Sequence, residues 1–196
     1  MFYKVAAAIC ALICKIAFKF KVAGLENIPA EGAFILAPNH KSFFDPVVVA
    51  VKCKRQIRFM AKAELFKNKL FGKIITALGA FPLQRGKGDI AAIKAAFSIL
   101  KEGNVLLMFP QGKRIKDDSR GNLKTGVAVI AHKMQVPVVP VSICGKYKFR
   151  SKITVTYGIP IYFDEFYGQK LDDETTTKLA AIIYEGIFSP IEQEMQ

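Results

Sequence analysis

At 196 residues the chain is long enough for one sizeable α/β domain and too short for two domains with separate cores. Hydrophobic residues make up 52% and aromatics 11%, against 23% charged, which excludes a disordered chain and leaves apolar surface beyond what one core absorbs. Lys and Arg number 29 against 16 Asp and Glu, a net charge of +13 that favours anionic partners; the charges are scattered between apolar segments rather than gathered in tracts with aromatic platforms, so a lipid surface fits better than nucleic acid.

The first predicted element is a helix within residues 1–22, set apart from a domain over residues 23–196. Its uninterrupted apolar run, Val5 to Cys14, is ten residues, half of the roughly 20 that a spanning helix needs. On a helical wheel Lys4, Lys15 and Lys19 fall within an arc of about 60°, while Val5, Ile9, Leu12, Ile16 and Phe20 gather on a separate face. That pattern predicts an amphipathic helix lying in a membrane interface, and it equally fits a helix packed on the domain. Lys15, Lys19 and Lys21 follow the apolar run and no convincing cleavage site precedes Gly24, so a secretory leader is not expected. Cys10, Cys14, Cys53 and Cys144 show neither a CxxC nor a Cys/His zinc spacing and read as reduced small hydrophobes, which suits a cytosolic side.

From Ala33 onward short apolar runs alternate with helical patterns, the signature of an α/β domain with a largely parallel central sheet flanked by helices. Strands are predicted at residues 34–37, 57–60, 105–109, 138–143 and 153–157. Helices are predicted at residues 46–52, 125–134 and about 175–187, with another after Asp89 that Gly103 closes as a C-terminal cap. No internal repeat or low-complexity linker interrupts the domain.

The chemistry is expected where strands end. After the first predicted strand comes Asn39-His40-Lys41-Ser42-Phe43-Phe44-Asp45-Pro46, with the proline at the start of a helix. Five residues apart on a continuous helix, His40 and Asp45 would diverge by about 140°, so a contact between them needs a turn across residues 41–44. A carboxylate on one imidazole nitrogen fixes the tautomer and leaves the other nitrogen free to take a proton from a hydroxyl. On spacing alone, a helix cap by Asp45 beside an incidental His40 fits the same residues. His132, near the end of a predicted helix, reads as structural.

Asn39-His40-x-Ser42-x-x-Asp45 is similar to the NHxSxxD box of the glycerolipid acyltransferases. Gly79-Ala80-Phe81-Pro82-Leu83-Gln84-Arg85 resembles that family's Gly-x-Phe-x-x-x-Arg element. Phe109-Pro110-Gln111-Gly112-Lys113-Arg114 resembles its FPEGTR box, and residues 136–141 its fourth element. The four stand in the family's order over about half of the chain, and the nearest likeness is to the bacterial 1-acylglycerol-3-phosphate acyltransferases.

The resemblance implies a peripheral enzyme on the cytoplasmic face of the cell membrane. It would move a fatty acyl group from coenzyme A or acyl carrier protein to a lysophosphatidic acid hydroxyl, giving phosphatidic acid for phospholipid biosynthesis. It implies His40 as general base and Asp45 as its partner, with no metal, no cofactor and no covalent acyl-enzyme. Substrate contacts are expected from Phe81, Arg85, Gln111, Gly112 and Arg114, with Lys62 as a further cation near an acceptor phosphate and Gly112 as a candidate oxyanion donor. Asn39, Ser42 and Pro110 support the boxes. Two positions depart from the family: Gln111 replaces its glutamate and Lys113 its threonine, which leaves the acceptor more open than the reaction. Other lysophospholipids and glycerol-3-phosphate stay open as acceptors. A non-catalytic basic lipid-binding module is the alternative from another class. A hydrolase on the same His/Asp pair lacks a GxSxG elbow or a metal cluster.

Overall fold

The computed structural model describes residues 2–83, 90–115 and 119–195. Seven strands, β1 (Lys19–Ala23), β2 (Phe34–Pro38), β3 (Ile57–Lys62), β4 (Ala80–Leu83), β5 (Val105–Leu107), β6 (Val138–Gly145) and β7 (Lys152–Tyr157), form one sheet in the order β1-β7-β6-β2-β5-β3-β4. Every neighbouring pair is parallel except β6 with β7. The helices are α1 (Phe2–Ala17), α2 (Asp45–Ala50), α3 (Lys69–Ala77), α4 (Ile90–Lys101), α5 (Gly126–Met134) and α6 (Asp173–Met195). This is the α/β domain with a mostly parallel sheet that the alternation of apolar runs predicts.

Central position follows from composition. All of Phe34-Ile35-Leu36-Ala37-Pro38 is buried, as a strand covered on both faces requires, and its side chains alternate between two cores. Phe34 and Leu36 meet Val48 and Val49 of α2 on one face, and Ile35 and Ala37 meet the α4, α5 and α6 side on the other. The chain steps from β2 to β3 to β4 in one direction across the sheet and then back to β5 and β6. Right-handed crossovers therefore put α2 and α3 on one face and α4 and α5 on the other.

Three local features differ from the sequence reading. The helix expected within residues 1–22 ends at Ala17, and Lys19-Phe20-Lys21-Val22-Ala23 pairs in register with β7. Its exposure alternates with period two, Lys19 and Lys21 outward and Phe20 and Val22 half-buried, which is a strand pattern too short to stand out beside the helical run. Neither β4 nor α3 is among the predicted elements. At the entry to β4, Gly79 has φ +98 and an added Cβ would overlap the Ile57 carbonyl oxygen, so the glycine of the Gly-x-Phe element is required by backbone conformation and close approach.

α1 packs on α2 and the sheet through Tyr3, Ala7, Cys10 and Cys14, while Val5, Ile9, Leu12, Ile13 and Ile16 are all more than half exposed. Part of the apolar excess noted in the composition thus lies outward, on one stripe of α1. Among the described residues no helix is long and apolar enough to cross a membrane.

Candidate active site

Two of the motif segments, residues 39–45 and 109–114, meet at the C-terminal ends of adjacent parallel strands, where open α/β sheets place their ligands, while residues 136–141 lead into and form the first half of β6 and residues 79–83 enter and form β4. The box at residues 39–45 leaves β2, and Phe109 to Arg114 follow the neighbouring β5. On the other side of β2, β6 runs out into Tyr147.

The loop at His40 is held from both sides. Asn39 is buried, and its side chain bonds the Ile143 backbone twice, accepting from N–H at 2.7 Å and donating to C=O at 3.0 Å, so it fastens β2 to β6 beyond the last paired residues. The His40 N–H donates to Gln111 Oε1 at 2.7 Å, and the His40 carbonyl accepts from Ile115 N–H at 2.8 Å. Phe109 stacks on the imidazole with centroids 3.7 Å apart and planes 20° apart, which fixes the tilt of the ring.

Residues 41–44 make the turn that the spacing demands, and His40 Nδ1 lies 2.7 Å from Asp45 Oδ2. The same oxygen accepts the N–H groups of Lys41 at 2.6 Å and Ser42 at 2.7 Å. Asp45 therefore points back along the chain and makes no side-chain cap on α2, although Pro46 takes its expected place at the helix start. Ser42 Oγ accepts the Phe44 N–H at 3.2 Å and tightens the turn. Asp45 is wholly buried while the His40 side chain is 18% exposed. A carboxylate on Nδ1 makes that nitrogen the donor, and leaves Nε2 unprotonated to accept a proton from a hydroxyl.

Tyr147 was not singled out in the sequence. Its hydroxyl donates to Asp45 Oδ1 at 2.6 Å, across 102 positions of chain, so each carboxylate oxygen is hydrogen-bonded. Burial first, and then the Asp45 carboxylate, push the Tyr147 phenol well above its ordinary value, so it stays a donor throughout the working pH range. The available signal was a tyrosine just beyond the end of a parallel strand, in Gly145-Lys146-Tyr147. Removing a hydrogen bond to a buried carboxylate costs about 1.5–3 kcal/mol. Tyr147→Phe is therefore expected to lower unfolding free energy by that amount and kcat by roughly tenfold with KM little changed. Urea unfolding and steady-state kinetics check this, and an unchanged kcat would remove Tyr147 from the positioning of Asp45.

Gln111 is 4% exposed and spans two backbone segments. Oε1 accepts from His40, and Nε2 donates to the carbonyls of Ser119 at 3.3 Å and Arg120 at 3.2 Å. Arg120 is gripped in turn by Glu185 and Glu192 of α6. The amide that replaces the family's glutamate thus supplies a donor that a carboxylate lacks. Gln111→Glu would set negative oxygen against two carbonyls, and a loss of about 2 kcal/mol lowers Tm by roughly 4–8 °C in a domain of this size. Calorimetry checks it; an unshifted Tm would mean that the segment at residues 119–120 does not depend on the amide.

The remaining expected residues are placed as follows. Gly112 has φ +67, and its N–H donates to the Phe109 carbonyl at 3.0 Å, so the amide considered as an oxyanion donor closes the turn. Pro110 is buried beneath that turn. The Arg114 guanidinium is exposed and lies 3.5 Å over the Phe43 ring, which brings it to the His40 turn. Lys62 is exposed at the end of β3, separated from β2 by β5. Phe81 packs against the core on the α4 side rather than beside His40. Arg85 lies outside the described residues, as does Gln84. His132 is buried with Nε2 2.6 Å from the Phe166 carbonyl, a structural placement.

Comparison with known proteins identifies the fold and the family. A profile of the acyltransferase family matches residues 19–144, which carry all the motif segments. A 1-acyl-sn-glycerol-3-phosphate acyltransferase of Bacillus subtilis (strain 168) is 33% identical over 170 residues, covering 84% of each chain. One from Streptococcus pneumoniae (strain ATCC BAA-255 / R6) is 36% identical over 157 residues, covering 76% of this chain and 57% of its own length. The fold matches the crystal structure of the 1-acyl-sn-glycerophosphate acyltransferase of Thermotoga maritima with a TM-score of 0.79 at 24% identity, over 98% of this chain and 79% of that one. On the family profile and the Bacillus relative together, the chain belongs to the acyltransferase family, and it is an O-acyltransferase.

Proposed function

We propose that this enzyme transfers a fatty acyl group from an acyl thioester to the free hydroxyl of 1-acylglycerol-3-phosphate, giving phosphatidic acid. The observation that carries the mechanism is the contact of His40 Nδ1 with a buried, fully hydrogen-bonded Asp45, with the ring stacked on Phe109. Nε2 takes the proton of the acceptor hydroxyl as its oxygen attacks the thioester carbonyl. The tetrahedral intermediate collapses with cleavage of the C–S bond, and the imidazolium returns the proton to the departing sulfur, which leaves as a thiol. Asp45 stabilises the imidazolium between those two events.

The acceptor is assigned from the names of the two bacterial relatives and from the cationic residues at this edge of the sheet. Arg114 binds the acceptor phosphate, and Arg85 joins it from the Gly-x-Phe-x-x-x-Arg element. Arg114→Ala is expected to raise the acceptor KM by roughly tenfold while moving kcat less. Titration of lysophosphatidic acid at saturating donor checks it, and an unchanged acceptor KM would take the phosphate away from Arg114.

The enzyme works as a peripheral protein on the cytoplasmic face of the cell membrane, with the exposed stripe of α1 in the interface. A contiguous apolar stripe on a helix too short to span, in a chain of net charge +13, supports that placement. The deciding experiment is acyl transfer from labelled acyl-coenzyme A and, in parallel, labelled acyl carrier protein to lysophosphatidic acid. Phosphatidic acid from either donor is the expected result and names the donor. Product only with glycerol-3-phosphate or another lysophospholipid would overturn the acceptor, and no transfer to any acceptor would leave a binding module.

A further inference from the structure

Between β3 and β4 lies a surface that the chemistry at His40 does not use. The 3-10 turn Ala63–Phe66 and α3 leave Leu65, Leu70 and Ile74 exposed by 41%, 73% and 40%. Around them stand Lys62, Lys67, Lys69 and Lys73, all exposed, with Glu64 as the only acid from residue 62 to residue 78. Leu70, Lys73, Ile74 and Ala77 fall on one stripe of α3, and each is exposed. A single exposed leucine has no meaning of its own, but a leucine and an isoleucine one turn apart, framed by lysines, form the pattern of a helix seated at the boundary between headgroups and acyl chains.

Placement gives the patch its partner. α3 lies on the same face of the sheet as α1 and α2, and Leu78, directly after α3, lines one apolar cavity with Tyr3 and Ala7 of α1 and Pro46 of α2. The exposed stripes of α1 and α3 are therefore on the same side of the sheet, while α4, α5 and α6 cover the other. On that side too, Phe43 and Phe44, 68% and 59% exposed, stand between His40 and α2.

We propose that the segment from Lys62 to Ala77 is a second membrane contact, which binds anionic phospholipid through Lys67, Lys69 and Lys73 and inserts Leu70 and Ile74 beside α1. Two contacts define an orientation where one helix leaves the domain free to swivel, and this orientation holds the edge of the sheet at His40 against the surface that contains the acceptor. The proposal rests on the interfacial reading of α1.

The test uses the full chain with vesicles of phosphatidylcholine alone and of phosphatidylcholine with phosphatidylglycerol. Lys69→Glu/Lys73→Glu is expected to lower affinity for the anionic vesicles by roughly tenfold or more, with little change on neutral ones. Leu70→Ser/Ile74→Ser is expected to weaken binding to both. Transfer to a short-chain, water-soluble lysophosphatidic acid should stay at the wild-type level in both variants, which also shows that they fold. Loss of that activity in the wild type would instead count against the acyltransfer reading, independently of membrane binding. Wild-type affinity in both α3 variants, with binding abolished by Ile9→Ser/Ile13→Ser, would overturn the second contact. So would unchanged vesicle binding with impaired use of acyl carrier protein, which would make the lysines a docking site for the donor, and so would a wild-type chain that ignores both vesicles.

Discussion

His40→Ala is expected to lower kcat for acyl transfer by about 10²–10⁴-fold, the range that a positioned general base contributes. The fold should survive the change. Asp45 keeps the N–H groups of Lys41 and Ser42 and the hydroxyl of Tyr147, so no buried carboxylate is stranded, and His40 was already partly exposed. Steady-state acyl transfer beside a thermal melt separates the two quantities. A variant that melts like the wild type and turns over within a few-fold of it would show that the acceptor hydroxyl loses its proton to some other group.

Asp45→Asn carries the second large effect, and comparison with Asp45→Ala divides it into charge and architecture. An asparagine can set its oxygen where Oδ2 stands and keep the three donors there, while Tyr147 accepts from the amide nitrogen. Geometry is preserved, but the negative charge that stabilises the imidazolium is gone. A fall in kcat of about 10²–10³-fold with a near wild-type melting temperature is the expected outcome. Asp45→Ala leaves the two backbone N–H groups and the Tyr147 hydroxyl without their partner, and about 3–5 kcal/mol of stability should go with it. In the double variant His40→Ala/Asp45→Asn, activity should lie no lower than in His40→Ala alone, because the aspartate acts through the histidine. Two losses that multiply would mean that Asp45 has a separate task in the reaction.

The two halves of this site differ in how they could be read. The His40/Asp45 pair and the need for a turn between them were legible, because five residues of chain contain the whole contact. Gln111 was legible as a departure from the FPEGTR box, but not its task. That task depends on carbonyls at Ser119 and Arg120 and on the His40 amide, brought together only when β5 pairs with β2. Gly112 differs again: a glycine after a strand suggests an oxyanion amide, and the fold adds that its N–H donates to the Phe109 carbonyl within its own turn. Phe81 carries its family position into the core instead of the site, since side chains alternate across a strand and neighbouring residues face opposite layers.

By itself the sequence determined the class of the fold, the five strands β2, β3, β5, β6 and β7, and the order of the motif segments. Those features are written in local periodicity and short spacings. Tertiary structure alone decided that Lys19–Ala23 is an edge strand, that Tyr147 completes the bonding of Asp45, that Asn39 ties two strands together, and that the apolar stripes of α1 and α3 share one side. Each of these joins segments far apart in the chain. The residues that make such contacts carry no local mark, because an apolar or hydrogen-bonding side chain is the same in sequence whatever partner the fold brings to it.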